Sequence, residues 1–170
     1  SQVMENWCYE KEALELFATH YETGEVIPME LVEKIKDSAT FHEGMQTLRQ
    51  LSLGLLDMSW HSQDPTSIKS VKTYEDDVFK NTSLYPKTKE TCMSTSFSHI
   101  FQGGYSSGYY SYKWAEVLDA DAFEYFKQEG IFNKRVADKF KNHVLSQGGT
   151  ENPMTLYKRF RGQEPQPEAL

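Results

Sequence analysis

The stretch His99-Ile-Phe-Gln-Gly-Gly-Tyr-Ser-Ser-Gly-Tyr-Tyr-Ser-Tyr-Lys-Trp114 decides how the rest of the chain is read. It places a histidine and a glycine pair ahead of four tyrosines within eight residues. Tyr105, Tyr109 and Tyr112 are spaced four and then three apart. A helix starting near Tyr105 would therefore project their hydroxyls from one face over two turns. Tyr110 and Trp114, also four apart, would fall on a neighbouring, buried face. Gly103 and Gly104 allow backbone conformations and close approaches that other residues resist. The same spacing also fits a tyrosine-rich helix packed in a core, its hydroxyls satisfied by backbone carbonyls.

The helical pattern spreads in both directions. Residues 1–21 read as a helix, with Leu14, Phe17, Ala18 and Tyr21 recurring at three and four and Gly24 as a stop. Pro28 suits a first helical position ahead of the stripe Leu31, Val32, Ile35. Residues 41–60 carry apolar side chains on two faces: Leu48, Leu51, Leu55 and Met58 on one, Leu53, Leu56 and Trp60 on the other. That pattern predicts a central, largely buried helix, with Gly54 at a close packing point. Thr73 with Asp76 resembles a capping box for a short helix through Phe79. Residues 81–98 are turn-rich and form the longest irregular segment.

Beyond the tyrosines, a helix is expected to stop at Gly130, its apolar row Ala115, Leu118, Ala122 and Tyr125. Asn133 caps another, with stripe Val136, Ala137, Phe140 and Val144. Asn152-Pro153 starts a last one with Leu156, Tyr157 and Phe160, and the tail from Gly162 is extended. No strand alternation appears. The prediction is an all-α chain, a single helical region over residues 1–170.

At 170 residues the chain is large enough to bury a core, and its net charge of −7 argues against nucleic acid as the main partner. Two cysteines, Cys8 and Cys92, form no disulfide framework and weakly favour a reducing compartment. No apolar run reaches the ~18 residues that span a membrane.

Catalytic motifs are scarce. Phe41-His42-Glu43-Gly44-Met45-Gln46 begins like a zinc helix, but Gln46 stands where the second histidine must be. His42 and Glu43 are therefore read as structural. His20, His61 and His143 are scattered singly, on solvated or capping positions. Glu116 and Asp119 extend the tyrosine face; each would orient a phenol or a substrate amine, or else form a helical salt bridge. No phosphate-cradling loop and no Ser or Cys nucleophile can be argued.

The tyrosine block, continuing through Ala115-Glu-Val-Leu-Asp-Ala-Asp-Ala-Phe123, resembles a C-terminal signature of the thimet oligopeptidase family of zinc metallopeptidases, whose bacterial members include oligopeptidase A and the peptidyl-dipeptidases. Ser1-Gln-Val-Met-Glu-Asn-Trp7, His20-Tyr-Glu-Thr-Gly24, Leu55-Leu-Asp-Met58, Gly130-Ile-Phe-Asn133 and Phe160-Arg-Gly162 carry the resemblance along the whole chain in collinear order.

The resemblance implies hydrolysis of short peptides by a zinc enzyme, with His99, Tyr105 and Tyr112 as catalytic residues. Tyr109 would touch substrate, and Gly103 and Gly104 would form a loop closing over it. It also implies that every zinc ligand and the general base precede Ser1. The chain would then be a C-terminal portion of the catalytic domain that binds no zinc itself and is inactive alone. Its partners would be short peptides and the preceding part of the enzyme, with no nucleic acid or membrane. Self-association through exposed apolar surface is expected, in a cytoplasmic setting, with export of the parent left open. Endopeptidase and peptidyl-dipeptidase activity fit equally. The alternative is a non-catalytic helical peptide-binding module lacking the metal half.

Overall fold

The computed structural model describes residues 1–170. Eight α-helices follow in order: α1 Lys11–Phe17, α2 Met29–Ala39, α3 Glu43–Ser62, α4 Val71–Phe79, α5 Ser98–Phe101, α6 Ser111–Glu129, α7 Lys134–Phe140 and α8 Pro153–Arg161. Short 3-10 turns and one π-helical turn, Lys141–Leu145, link them, and there is no sheet beyond one isolated bridge between Thr19 and Val26. The all-α expectation is met. No helix is long and apolar enough to cross a membrane.

The chain forms two compact units, one of Ser1–Ala39 with Trp114–Leu170 and one of Thr40–Lys113. In the first, Phe123, Phe126, Val136, Tyr157 and Phe160 form the core with Val3 and Ala13. The Trp7 ring meets Phe123 and Phe126 edge-on at 4.7 and 4.9 Å, and its indole N–H donates to the Ile131 carbonyl at 3.0 Å. Buried Asp121 accepts the Tyr157 hydroxyl at 2.6 Å and Arg161 Nε at 3.2 Å, so its charge is paired rather than stranded.

The cap expectations for α7 and α8 hold. Asn133 Oδ1 accepts the Arg135 and Val136 amides, and Asn152 Oδ1 accepts that of Met154 ahead of Pro153. Asp119 is not in a salt bridge: it accepts Asn6 Nδ2 at 3.3 Å. Burial holds its carboxyl above the ordinary range against the pull of that bond.

The N-terminal expectation is corrected. A 3-10 helix over Gln2–Tyr9 gives way to α1 at Glu10, whose backbone is extended. The helix then stops at Phe17, because the Ile27 amide donates back to Ala18 and that of His20 to Glu25, turning the chain on itself. Leu14 is buried, but Phe17 and Tyr21 are exposed.

The second unit is built on Leu53, Leu56, Phe79, Phe97 and Ile100. Only half of the α3 expectation survives. Leu53, Leu56 and the invisible-from-composition acid Asp57 are buried, whereas Leu51, Leu55 and Met58 are 51, 51 and 45 % exposed. Gly54 faces the Tyr110 backbone, though a Cβ there would make only ordinary contact at 3.8 Å. The cap of α4 is Ser70, whose Oγ accepts the Thr73 amide; Thr73 lies inside the helix.

The irregular segment after α4 is fastened by one buried carboxylate. Glu75 accepts the Ser94 amide at 2.6 Å, the Ser94 hydroxyl at 2.7 Å and the Met93 amide at 3.0 Å. Trp60 Nε1 donates in turn to Ser94 Oγ at 3.0 Å. Burial pushes the Glu75 carboxyl up most strongly, but the bonds from Ser94, Met93 and Cys92 together outweigh it, and the net displacement is downward. A depressed carboxyl contributes stability above its unfolded titration range and loses it as pH falls through the folded value. Glu75→Gln is expected to cost about 1–2 kcal/mol at neutral pH, since Gln leaves one of these donors unmet. The urea midpoint should fall at neutral pH and converge on wild type in acid.

Candidate active site

The tyrosine block is not helical where the spacing predicted. Residues 105–110 form turns, and α6 begins only at Ser111. The cause is backbone: Ser107 has φ 55, in the left-handed region, which a continuing helix excludes. The Gly108 amide closes a turn on the Tyr105 carbonyl at 2.8 Å, and Ser106 Oγ donates to the Ile100 carbonyl at 2.6 Å. Tyr110 and Trp114, expected on a buried face, are 62 and 50 % exposed.

The turn nonetheless gathers the phenols. Tyr105 and Tyr112 stack with ring centroids 5.1 Å apart and planes at 21°. Tyr109 lies 5.0 Å from Tyr112 and 6.5 Å from Tyr105. The His99 ring is 6.1 Å from Tyr105 and 6.5 Å from Tyr109. Tyr109 is anchored edge-on against buried Phe97 at 4.9 Å. All four sequence-predicted side chains thus meet in one cluster.

Gly103 and Gly104 connect α5 to it. A Cβ on Gly103 would lie 2.7 Å from His99 Cα, so no side chain fits, and Gly104 adopts φ 82. Beside Tyr109 and Tyr112 opens an apolar cavity of about 270 Å³, lined also by Leu51, Gly54, Leu55 and Met58.

Hydrogen bonding to Tyr105, followed by burial and by the neighbouring phenols, pushes the Tyr112 hydroxyl up to about 12. A raised phenol stays neutral until pH passes that folded value, so Tyr112 is a hydrogen-bond donor throughout the physiological range. Ultraviolet titration of the tyrosines is expected to show the Tyr112 phenol ionising near pH 12 rather than near the ordinary 10.

Besides Glu75, a second buried acid in this unit escaped the sequence reading. Asp57, fully buried on α3, accepts the Ser107 amide on Oδ1 and the Tyr109 amide on Oδ2, each at 2.9 Å. His61 Nδ1 lies 2.9 Å from Oδ1 and 2.8 Å from the Asp57 carbonyl oxygen, so His61, an exposed residue as expected, is also a partner of a buried acid. The available signal was a single acid inside the apolar run Leu53-Gly-Leu-Leu-Asp-Met58, on the side shared with Leu53 and Leu56.

The remaining histidines do other work. His20 Nδ1 accepts the Glu22 and Thr23 amides in an exposed turn, and His42 precedes α3 in a left-handed conformation. No three His, Cys, Asp or Glu side chains gather to hold a metal ion. The residues of this chain by themselves do not fit a zinc site.

Comparison with known proteins settles the family. Peptidase family M3 matches residues 1–170. The chain belongs to peptidase family M3. This M3 chain is 45 % identical over 172 residues to Oligopeptidase A of Escherichia coli (strain K12), covering 100 % of the chain and 25 % of that protein. It is 43 % identical over 175 residues to Organellar oligopeptidase A, chloroplastic/mitochondrial, of Arabidopsis thaliana, with 100 and 22 % covered. It is 33 % identical over 168 residues to Dipeptidyl carboxypeptidase of Escherichia coli (strain K12), with 97 and 24 % covered. The M3 chain spans about a quarter of the length of these relatives. The family resemblance drawn from the tyrosine block is thereby borne out.

Proposed function

We propose that the chain supplies the carbonyl-facing part of the catalytic centre of a zinc metallopeptidase that hydrolyses short peptides. The observation that carries this reading is the convergence of Tyr105, Tyr109, Tyr112 and His99 within 6.5 Å, centroid to centroid, for each adjoining pair.

When a peptide carbonyl becomes tetrahedral, its oxygen gains charge. Donors already aimed at it stabilise the transition state more than the ground state. Tyr105 and Tyr112 are phenols in stacked register, suited to donate hydrogen bonds to the charge that develops on that oxygen. Tyr109 and the glycine pair at 103–104 contact the substrate, and His99 adds a further donor at the rim. Zinc has no ligand set among these residues, so the part assigned to the chain is confined to the carbonyl oxygen and the peptide around it. Its partners are short peptides and the rest of such an enzyme, which supplies the metal-binding residues; by itself the chain is inactive. Oligopeptidases and dipeptidyl carboxypeptidases both fit, and a cytoplasmic setting is the simplest.

The apolar cavity beside Tyr109 and Tyr112 favours one competing reading, a module that binds peptides without cleaving them. Tyr105→Phe in the full-length protein separates the two. A donor to the transition state gives a roughly tenfold or larger fall in kcat at nearly constant KM. A binding contact gives a raised KM with kcat kept, and that outcome would favour the module.

A further inference from the structure

We infer that Asp57 is a positioning residue for the tyrosine cluster, its two carboxylate oxygens holding the turn that brings Tyr105, Tyr109 and Tyr112 together. The inference rests on the donor roles proposed above and names what sets their geometry.

Three observations carry it. The carboxylate is fully buried, and both oxygens point at one short segment: Oδ1 takes the Ser107 amide and Oδ2 the Tyr109 amide, two residues on. At the first of the two, Ser107, φ is 55, a conformation a non-glycine residue holds only when its surroundings impose it. Finally, the segment so held lies in sequence between Tyr105 and Tyr112, whose rings stack, and carries Tyr109 itself.

A buried acid without partners would be strongly unfavourable. Here two amides and the His61 ring, whose side chain is 24 % exposed, surround it. The acid in turn is what the amides need, because neither has a backbone acceptor within the turn. Charge-assisted bonds of this kind are short and directional, and they fix the rotation of the segment about the α3 surface. Asparagine is nearly isosteric with aspartate but brings one acceptor and one amide donor. It can satisfy one of the two backbone N–H groups and must oppose the other.

The test is steady-state kinetics of the full-length enzyme on a short fluorogenic peptide, in a two-by-two set with Asp57→Asn and Tyr112→Phe. Because displacing catalytic groups by about an ångström costs on the order of a hundredfold, Asp57→Asn is expected to lower kcat roughly tenfold to a hundredfold, with KM within about threefold. In the Tyr112→Phe background the same change should cost several-fold less than in the wild type, since one of the two donors it positions is already gone. Full multiplicative loss in both backgrounds would mean that Asp57 acts only through general stability, and would overturn the inference. A Tyr112→Phe variant with undiminished kcat would instead remove the donor role, and the positioning role with it. Should Asp57→Asn fail to accumulate as folded protein, hydrogen exchange in the wild type decides. Slow exchange of the Ser107 and Tyr109 amides supports the clamp, and exchange at the free-peptide rate overturns it.

Discussion

Replacing Tyr112 by phenylalanine in the full-length peptidase is expected to lower kcat about a hundredfold while leaving KM within a few-fold. The substitution deletes a single oxygen. The ring keeps its stack on Tyr105 at 5.1 Å and its contact with Tyr109 at 5.0 Å, so packing and stability should change little. What disappears is a neutral donor whose proton is retained up to about pH 12. A loss in kcat and kcat/KM by the same factor identifies an interaction made only in the transition state. A loss confined to KM would place the hydroxyl on the bound substrate instead.

The second large effect belongs to Gly103. Alanine there would set its Cβ 2.7 Å from His99 Cα and 2.9 Å from the His99 carbonyl oxygen, both rigid backbone atoms. The connection between α5 and the tyrosine turn must shift to admit it. Overpacking of this kind costs about 1–3 kcal/mol, and displacing His99 relative to Tyr105 adds a loss of activity on the order of a hundredfold. Gly104→Ala is the informative contrast. Its Cβ meets nothing within 4 Å, so only the strain of φ 82 remains. That strain is about 1–2 kcal/mol. Thermal melting and turnover of both variants measure the difference: Gly103→Ala should lose activity well beyond its stability loss, and Gly104→Ala should lose mainly stability.

Several local signals in the chain were read accurately, although the α4 cap is Ser70 and not Thr73. Asn133 and Asn152-Pro153 cap the helices they precede, Gly130 ends α6, and Leu156, Tyr157 and Phe160 face the core, because caps and apolar periodicity depend on residues a few positions apart. The grouping of Tyr105, Tyr109 and Tyr112 was also legible, although through the wrong geometry. A helical face was expected, and a left-handed serine produces the cluster instead. Nothing in Ser106-Ser107 announces that conformation, since it is imposed by a carboxylate fifty residues away in sequence.

Asp57 was hidden for the same reason: an acid in an apolar helix is uninformative until its partners are known. The two apolar faces of α3 look alike in composition, yet Leu53 and Leu56 are buried and Leu51 and Leu55 are not. Periodicity marks a face as apolar without saying what covers it. The break at Glu10 had no glycine or proline to mark it; only the fold-back from Ala18 to Ile27 explains why α1 is short.

The most direct test of the central claim is the affinity of a phosphinic peptide for the full-length enzyme and its Tyr112→Phe variant. The tetrahedral phosphinate carries charge where a cleaving carbonyl would, and a substrate-like peptide with a planar amide does not. If Tyr112 stabilises the transition state, the variant should lose phosphinate affinity by about the same factor as kcat/KM, on the order of a hundredfold, and keep its affinity for the planar peptide. Unchanged phosphinate affinity alongside reduced turnover would contradict the account.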